Sequence, residues 1–277
     1  MFTKSCRFRK RQRYLNMPTM QKLIILCCLF ISIGLFTCDK NTETSDTGGE
    51  VTLTFKGLFD KSALKMFNAN YPYESNMDLR FQLFQFYISD VSLLKTTNPS
   101  GDSTKLIDVE LVSFKNIQSD DAAQKGISFT IKNIPPGTYK GIKLGLGVSS
   151  DLNAFGPSKY APPHPLDDNY WSWAAGYVFT KIEGNADLDK SGKFATKLTF
   201  HVGQNDFYRQ KAMWHDIEIK DKSSTPITID VDLHRVLVAA PGSFLDFRKV
   251  TQDHTTDLKI AKFLSDNLEQ ALTIHHE

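Results

Sequence analysis

Beyond position 38 the chain contains no cysteine: all four, Cys6, Cys27, Cys28 and Cys38, fall in the first 38 of its 277 residues. The remainder has no thiol for a disulfide, an iron–sulfur cluster or a thiolate metal site. Any metal it holds must be met by histidine, carboxylate or a less usual donor. Other chemistry-bearing patterns are missing as well. There is no Cys-x-x-Cys-His haem attachment run, no Gly-x-Ser-x-Gly elbow and no His-Glu-x-x-His run. Gly145-Leu146-Gly147 sits at an expected strand end with no helix expected after it and no phosphate-binding lysine, so no nucleotide loop is expected there. No internal repeat is present. Acid is absent from residues 1–37, which hold Lys4, Arg7, Arg9, Lys10, Arg11, Arg13 and Lys22. Those are seven of the 33 Lys and Arg residues, so 26 remain against 31 acids, a formal balance of −5. The basic character belongs to the leader, and no nucleic-acid footprint survives it.

That basic leader runs into a short apolar stretch, Leu23-Ile24-Ile25-Leu26-Cys27-Cys28-Leu29-Phe30-Ile31, continuing to Phe36. A basic segment followed by an apolar run too short for a secure span has the layout of a secretory signal. It ends in Leu35-Phe36-Thr37-Cys38, which resembles the lipobox of bacterial lipoproteins. The resemblance implies cleavage before Cys38, lipidation of its thiol, and a mature chain held on a membrane outside the cytoplasm by a lipid anchor. An uncleaved anchor helix is the alternative. The expected organisation is a signal peptide over residues 1–37, a flexible polar tether over 38–50, and one domain over 51–277.

From Val51 the chain is punctuated into short strands. Val51-Thr52-Leu53-Thr54-Phe55, Leu79-Arg80-Phe81-Gln82-Leu83 and Ile127-Ser128-Phe129-Thr130-Ile131 alternate apolar with polar. After Leu83 the phase shifts to Phe84, Phe86 and Ile88, which predicts a β-bulge. Pro135-Pro136-Gly137-Thr138 is a turn, and further strands are expected through Ile142 to Leu146 and over 170–183, 194–202, 214–219 and 226–238. Only residues 257–272 carry a helical stripe, Ile260, Ala261, Leu264, Leu268 and Leu272. The predicted fold class is all-β: a single antiparallel β-sandwich domain with a short C-terminal helix.

Asp187-Leu188-Asp189-Lys190-Ser191-Gly192 opens like a calcium loop, but its twelfth position is Leu198 and strands flank it, so a hairpin turn is expected. The most distinctive segment runs from His164 through Trp171-Ser172-Trp173-Ala174-Ala175-Gly176-Tyr177-Val178-Phe179. In one strand, Trp171, Trp173, Ala175, Tyr177 and Phe179 share a face, and an aromatic packing ladder is the plain reading.

Four blocks of the chain resemble the MbnP-like copper-binding proteins. They are Phe86-Tyr87-Ile88-Ser89-Asp90-Val91; Ile134-Pro135-Pro136-Gly137-Thr138-Tyr139 leading to Leu144-Gly145-Leu146-Gly147-Val148; the Trp-Ser-Trp-x-x-Gly-Tyr-x-Phe core running to Glu183-Gly184; and Phe200-His201-Val202-Gly203. What the resemblance implies is a copper site in which a tryptophan is oxidised to kynurenine and histidines ligate beside it. Ring opening replaces a donor-only N–H with an aromatic amine and a carbonyl, and imidazole suits copper. Trp171 and Trp173 are the candidates for modification. His201, in the His-x-Gly block and opposite the apolar face of its strand, is a candidate ligand. So is His164, in the Pro-rich loop before the Trp segment. His234 is expected to be solvated on a polar strand face, and His215, His254 and the terminal pair His275-His276 are weaker candidates.

The expected function is therefore copper handling outside the cytoplasm by a protein that is not itself an enzyme. A separate diheme peroxidase-like partner would oxidise the tryptophan, and an outer-membrane transporter is a further partner by family association. The alternative is a β-sandwich scaffold or interaction lipoprotein with no metal role, its Trp and His residues merely structural. A Zn or Cu hydrolase is disfavoured, because no His/carboxylate cluster occurs at short spacing.

Overall fold

The computed structural model describes residues 48–174 and 176–275. The leader, Cys38, His276 and most of the expected tether lie outside the described residues. The first strand begins at Gly49, two positions before the expected domain start. A polar, Gly-rich composition suggested a tether, but the glycine serves a close approach. A Cβ at Gly49 would sit 2.5 Å from Ile219 Cγ2 and 2.6 Å from the Lys220 carbonyl oxygen.

Among the described residues, nine strands longer than three residues build the domain. They are β1 (Gly49–Phe59), β2 (Met77–Leu94), β3 (Ser103–Ser113), β4 (Ile127–Ile134), β5 (Gly137–Leu146), β6 (Gly176–Asp187), β7 (Thr196–Gly203), β8 (Arg209–Ile219) and β9 (Ser224–Asp232). Two helices follow β9, α1 (Leu233–Leu237) and α2 (Leu258–Ala271). The smaller sheet has β1 at its centre, flanked by β9 on one side and β4 on the other, with Leu272–Ile274 pairing along β9. The larger runs β8, β5, β2, β6, β7, with Gln252–Asp253 at its edge and β3 also on β2. This is the expected all-β sandwich, and its sheets are mixed. β1 and β9 run parallel from Glu50↔Ser224 to Leu58↔Asp232, and Gln252–Asp253 runs parallel to β7. The expected strand over 226–238 stops at Asp232, whose carboxylate accepts the His234 N–H at 3.0 Å and starts α1.

The 18-residue β2 is the spine of the larger sheet. Phe86 is paired with Val112 of β3 and Thr180 of β6, while Ile88 is paired with Glu110 of β3 and Leu146 of β5. So β6 and β5 occupy the same side of β2 in succession, and the sheet forks between them. The expected bulge is present where the β6 register slips between Phe81 and Leu83. It carries Phe84, Phe86 and Ile88 onto the inner face, all fully buried.

That inner face closes on the smaller sheet. Val51, Leu53 and Phe55 of β1 and Ile227, Ile229 and Val231 of β9 meet Phe84, Phe86, Ile182, Leu198 and Phe200 in one core. Helix α2 adds Ala261, Leu264, Leu268 and Ala271, with Ile260 only partly covered. A second, smaller core lies on the outer face of the larger sheet at the fork, formed by Tyr87, Val109, Val148, Leu166, Tyr177 and Phe179. The long connection from β5 to β6 covers it. Tyr87 donates its hydroxyl to the Pro165 carbonyl at 2.7 Å, and Tyr177 donates to the Leu166 carbonyl at 2.8 Å. Burial pushes the Tyr87 phenol up to about 12.

Phe84 stacks on Phe114 with ring centroids 5.5 Å apart and planes 11° from parallel, and its ring also meets Phe86. Phe84→Ala is expected to cost about 3–5 kcal/mol of folding stability, read as a lowered urea midpoint at unchanged slope.

Candidate metal centre

The Trp segment does not continue as one strand. Tyr170–Trp171 forms its own two-residue strand and folds back on β6, pairing Tyr170 with Tyr177 and Trp171 with Gly176. The Ala174 N–H reaches the Trp171 carbonyl at 3.3 Å across the turn. The reversal lies between Trp171 and Gly176. Just before the short strand, Asn169 sits in the left-handed region at φ 60°, a conformation asparagine tolerates. Its amide is anchored on the sheet below: its oxygen accepts from Lys181 and from Gln85 (3.2 Å), and its NH2 donates to the Tyr87 hydroxyl at 3.2 Å.

The shared aromatic face expected of a continuous strand is therefore replaced by a hairpin. Trp171 and Trp173 tilt against each other at 35° with ring centroids 5.0 Å apart. Trp171 is half-buried and Trp173 is 64% exposed. The inner indole lies against β7 because position 203 has no side chain. A Cβ at Gly203 would come within 2.7 Å of Trp171 Cζ3 and within 2.7 Å of the Tyr177 carbonyl oxygen.

β7 alternates as expected, with Leu198, Phe200 and Val202 buried inward and His201 on the outer face. The His201 Nε2 lies 2.8 Å from the Glu183 carboxylate, and only 14% of its side chain is exposed. An ionised carboxylate only accepts, so the neutral ring donates from Nε2 and keeps its lone pair on Nδ1. Burial holds the His201 imidazole below the ordinary histidine range. Glu183 opposes that shift, while His254 and Lys181, its cross-strand neighbour, reinforce it.

His254, a weaker candidate in the sequence, is brought by the fold to His201. Its ring meets His201 edge-to-face, centroids 4.8 Å apart at 81°, and lies 6.4 Å from the Trp171 ring. Trp171, His254, His201 and Glu183 thus form one continuous file of side chains on the outer face. A usable signal was present in Asp253-His254-Thr255-Thr256-Asp257, a run of backbone-bonding side chains at the mouth of a helix that immobilises whatever it encloses.

His164 lies elsewhere. It stacks on Tyr160 at 4.5 Å and 22°, and its Nδ1 accepts the Leu166 N–H at 3.1 Å. The nearby Glu110 carboxyl is pushed up by burial, opposed by His164. Among the described residues, its ring neighbours and hydrogen-bond partners include none of Trp171, Trp173, His201 and His254. His234 is packed instead of solvated, its ring edge-on to Phe59 at 5.1 Å, because the chain has already turned into α1. His275 bonds the Asp230 carboxylate at 2.9 Å. In the calcium-like segment, the buried Asp187 carboxylate accepts the Ser191 and Gly192 N–H groups at 3.2 and 2.6 Å, so it holds the turn together.

As the side chains stand, no three His, Cys, Asp or Glu residues among those described converge on a metal-sized point. An intact indole offers a donor N–H and no lone pair. A metal held here would meet the imidazoles of His201 and His254, and any further donor would have to be added to the side chains as they stand.

Two measurements probe this geometry. Gly203→Ala is expected to force Trp171 outward, changing the ring-current shifts of the His254 ring protons in NMR spectra. The second concerns pH. The unfolded His201 ring titrates at about 6.5, and the folded ring at a lower value. Between the two values only the unfolded chain binds the proton, so stability is lost as pH falls through that window and is retained above it. Glu183→Gln removes the group opposing burial and is expected to move the His201 NMR titration lower still.

The family model for MbnP matches residues 48–258, a span that includes Trp171, Trp173, Glu183, His201 and His254. MbnP from Methylosinus trichosporium is a similar solved structure, 14% identical, covering 75% of this chain and 81% of that one with a TM-score of 0.48. No curated protein matches the chain. The extent of the family match, from the first strand to the start of the last helix, establishes that the chain belongs to the MbnP family.

Proposed function

We propose that this protein binds copper outside the cytoplasm, at the centre made by His201 and His254 beside Trp171, and serves copper handling or relay there. The observation that carries the reading is the edge-to-face contact of the two imidazoles, 4.8 Å between centroids, next to an indole seated on Gly203. Membership of the MbnP family supports it. Imidazole nitrogen is a suitable copper donor, and a neutral His201 oriented by Glu183 meets the requirement that the ligand be unprotonated. Copper bound there would supply redox and ligand-exchange chemistry. The chain's own residues orient the imidazoles, keep His201 neutral and shield one side with Trp171.

Oxidation of Trp171 to kynurenine would supply the missing donor. Two molecules of peroxide, used by a separate diheme peroxidase-like partner, would add two oxygens across the indole C2–C3 bond with release of two waters. Hydrolysis then removes C2 as formate and leaves an aromatic amine. Trp171 is favoured over Trp173 because it is the ring that meets His254. The membership of Cys38 in a lipobox-like run supports attachment to a membrane through lipid. Among the described residues, no helix is long and apolar enough to cross a membrane. An outer-membrane transporter remains a partner proposed by family association alone.

The test is metal analysis with intact-mass measurement on protein isolated from its native organism. Expected are stoichiometric copper and a net gain of one oxygen with loss of one carbon at Trp171. Copper should be lost in His201→Ala and in His254→Ala and retained in His164→Ala. Glu183→Gln should weaken copper by about 10- to 100-fold. Copper at background in the unaltered protein would reject the reading in favour of a scaffold role. Stoichiometric copper with an unmodified Trp171 would keep the metal and remove kynurenine.

A further inference from the structure

We infer that Thr255 is the positioning residue of the centre: its hydroxyl stands in for a strand partner of β7 and so fixes His254 against His201. The ladder between β7 and the parallel segment Gln252–Asp253 ends at the pair Phe200↔Asp253. One residue further on, the His201 carbonyl and the Gly203 N–H have no partner from a continued strand. Thr255 takes both. Its Oγ1 donates to the His201 carbonyl oxygen at 3.1 Å and accepts the Gly203 N–H at 3.0 Å. The same two backbone groups belong to the residues that carry the inner imidazole and admit the Trp171 ring.

The conformation is costly. Thr255 is β-branched yet sits at φ 60°, and it is 4% exposed. Such residues avoid the left-handed region, and they persist there only when their surroundings over-determine them. Asp253 provides that constraint. It is itself 5% exposed, and its carboxylate accepts the N–H groups of Thr255 (2.9 Å), Thr256 (3.2 Å) and Asp257 (2.9 Å) and the Thr256 hydroxyl (2.7 Å). Starting α2 does not require any of this at position 255, because Asp257 already caps the helix through the Lys259 N–H. What the arrangement accomplishes is to immobilise the one residue between Asp253 and Thr255. His254 is thereby held with its ring across His201 and beside Trp171.

The functional half of this inference rests on the copper reading, whereas the positioning half is measurable without metal. The experiment compares Thr255→Ser, Thr255→Val and Thr255→Gly in the metal-free full chain, reading NOEs between the His254 ring and the rings of His201 and Trp171. NOEs between Phe84 and Phe114 report that the core is intact. Serine keeps the hydroxyl and is expected to keep the His254 contacts. Valine keeps the shape without the hydroxyl and is expected to lose them. Glycine accepts the left-handed backbone without strain, so it decides the matter if the valine variant does not fold, and it too should lose the contacts. Titration with copper alone should then show affinity reduced about 10- to 100-fold in the glycine variant and close to unaltered in the serine variant. His254 contacts that persist in a folded glycine variant would overturn the proposal. If the unaltered protein binds no copper, the functional reading fails while the NOE comparison still decides the positioning.

Discussion

The outer face of the larger sheet has to be covered at one end and open at the other, and the rest of the molecule follows from how that is done. β2 buries its inner side chains in the sandwich core, as any sheet in this class does. Its outer side chains, Gln85, Tyr87 and Ser89, are buried as well. Polar groups can be placed there only if each finds a partner. Gln85 and Tyr87 do so through the β5–β6 connection, whose carbonyls at Pro165 and Leu166 accept the Tyr87 and Tyr177 hydroxyls and whose Asn169 amide meets Gln85, Tyr87 and Lys181, while Ser89 donates to the Tyr208 hydroxyl. Held in this way, the connection delivers the Trp171 hairpin to the border between covered and open sheet, where His201 emerges from β7.

Much of the fold was legible because burial imposes periodicity. The alternation in β1 and β7, the phase shift in β2 and the stripe of α2 each reflect a face that meets the core, and each is present. His201 could be placed for the same reason: a strand that turns Leu198, Phe200 and Val202 inward turns its neighbours outward. The parallel pairing of β1 with β9 was illegible, since alternation tells which face is buried and says nothing of strand direction.

The site was legible only in part, and the failures share a cause. The Trp segment turns back on itself between Trp171 and Gly176, and hydrophobic pattern does not register such a turn. His254 sits in a polar run that composition assigns to surface loop. Its placement beside His201 goes with contacts of the neighbouring Thr255 hydroxyl to the β7 backbone, a relation between residues far apart in sequence. His164, by contrast, lay close to the tryptophans along the chain. The Pro-rich loop carries it to Tyr160 instead, where its Nδ1 is used by the Leu166 N–H.

The parallel pair of β1 and β9 also bears on how the molecule reaches this state. Residues 50–58 find their partners at 224–232, so about three quarters of the described chain lies in the loop closed by that pairing. Closing a loop of such length is charged entirely to chain entropy before any contact across it forms. High contact order of this kind belongs to slowly folding β topologies. The larger sheet contains hairpin neighbours such as β6 and β7, which can pair without waiting for it. Until the small sheet closes, the inner face of the larger one stays exposed, and the unpaired β1 is an edge open to strands of other molecules. Protection of that first strand during assembly is thus a demand the topology itself creates.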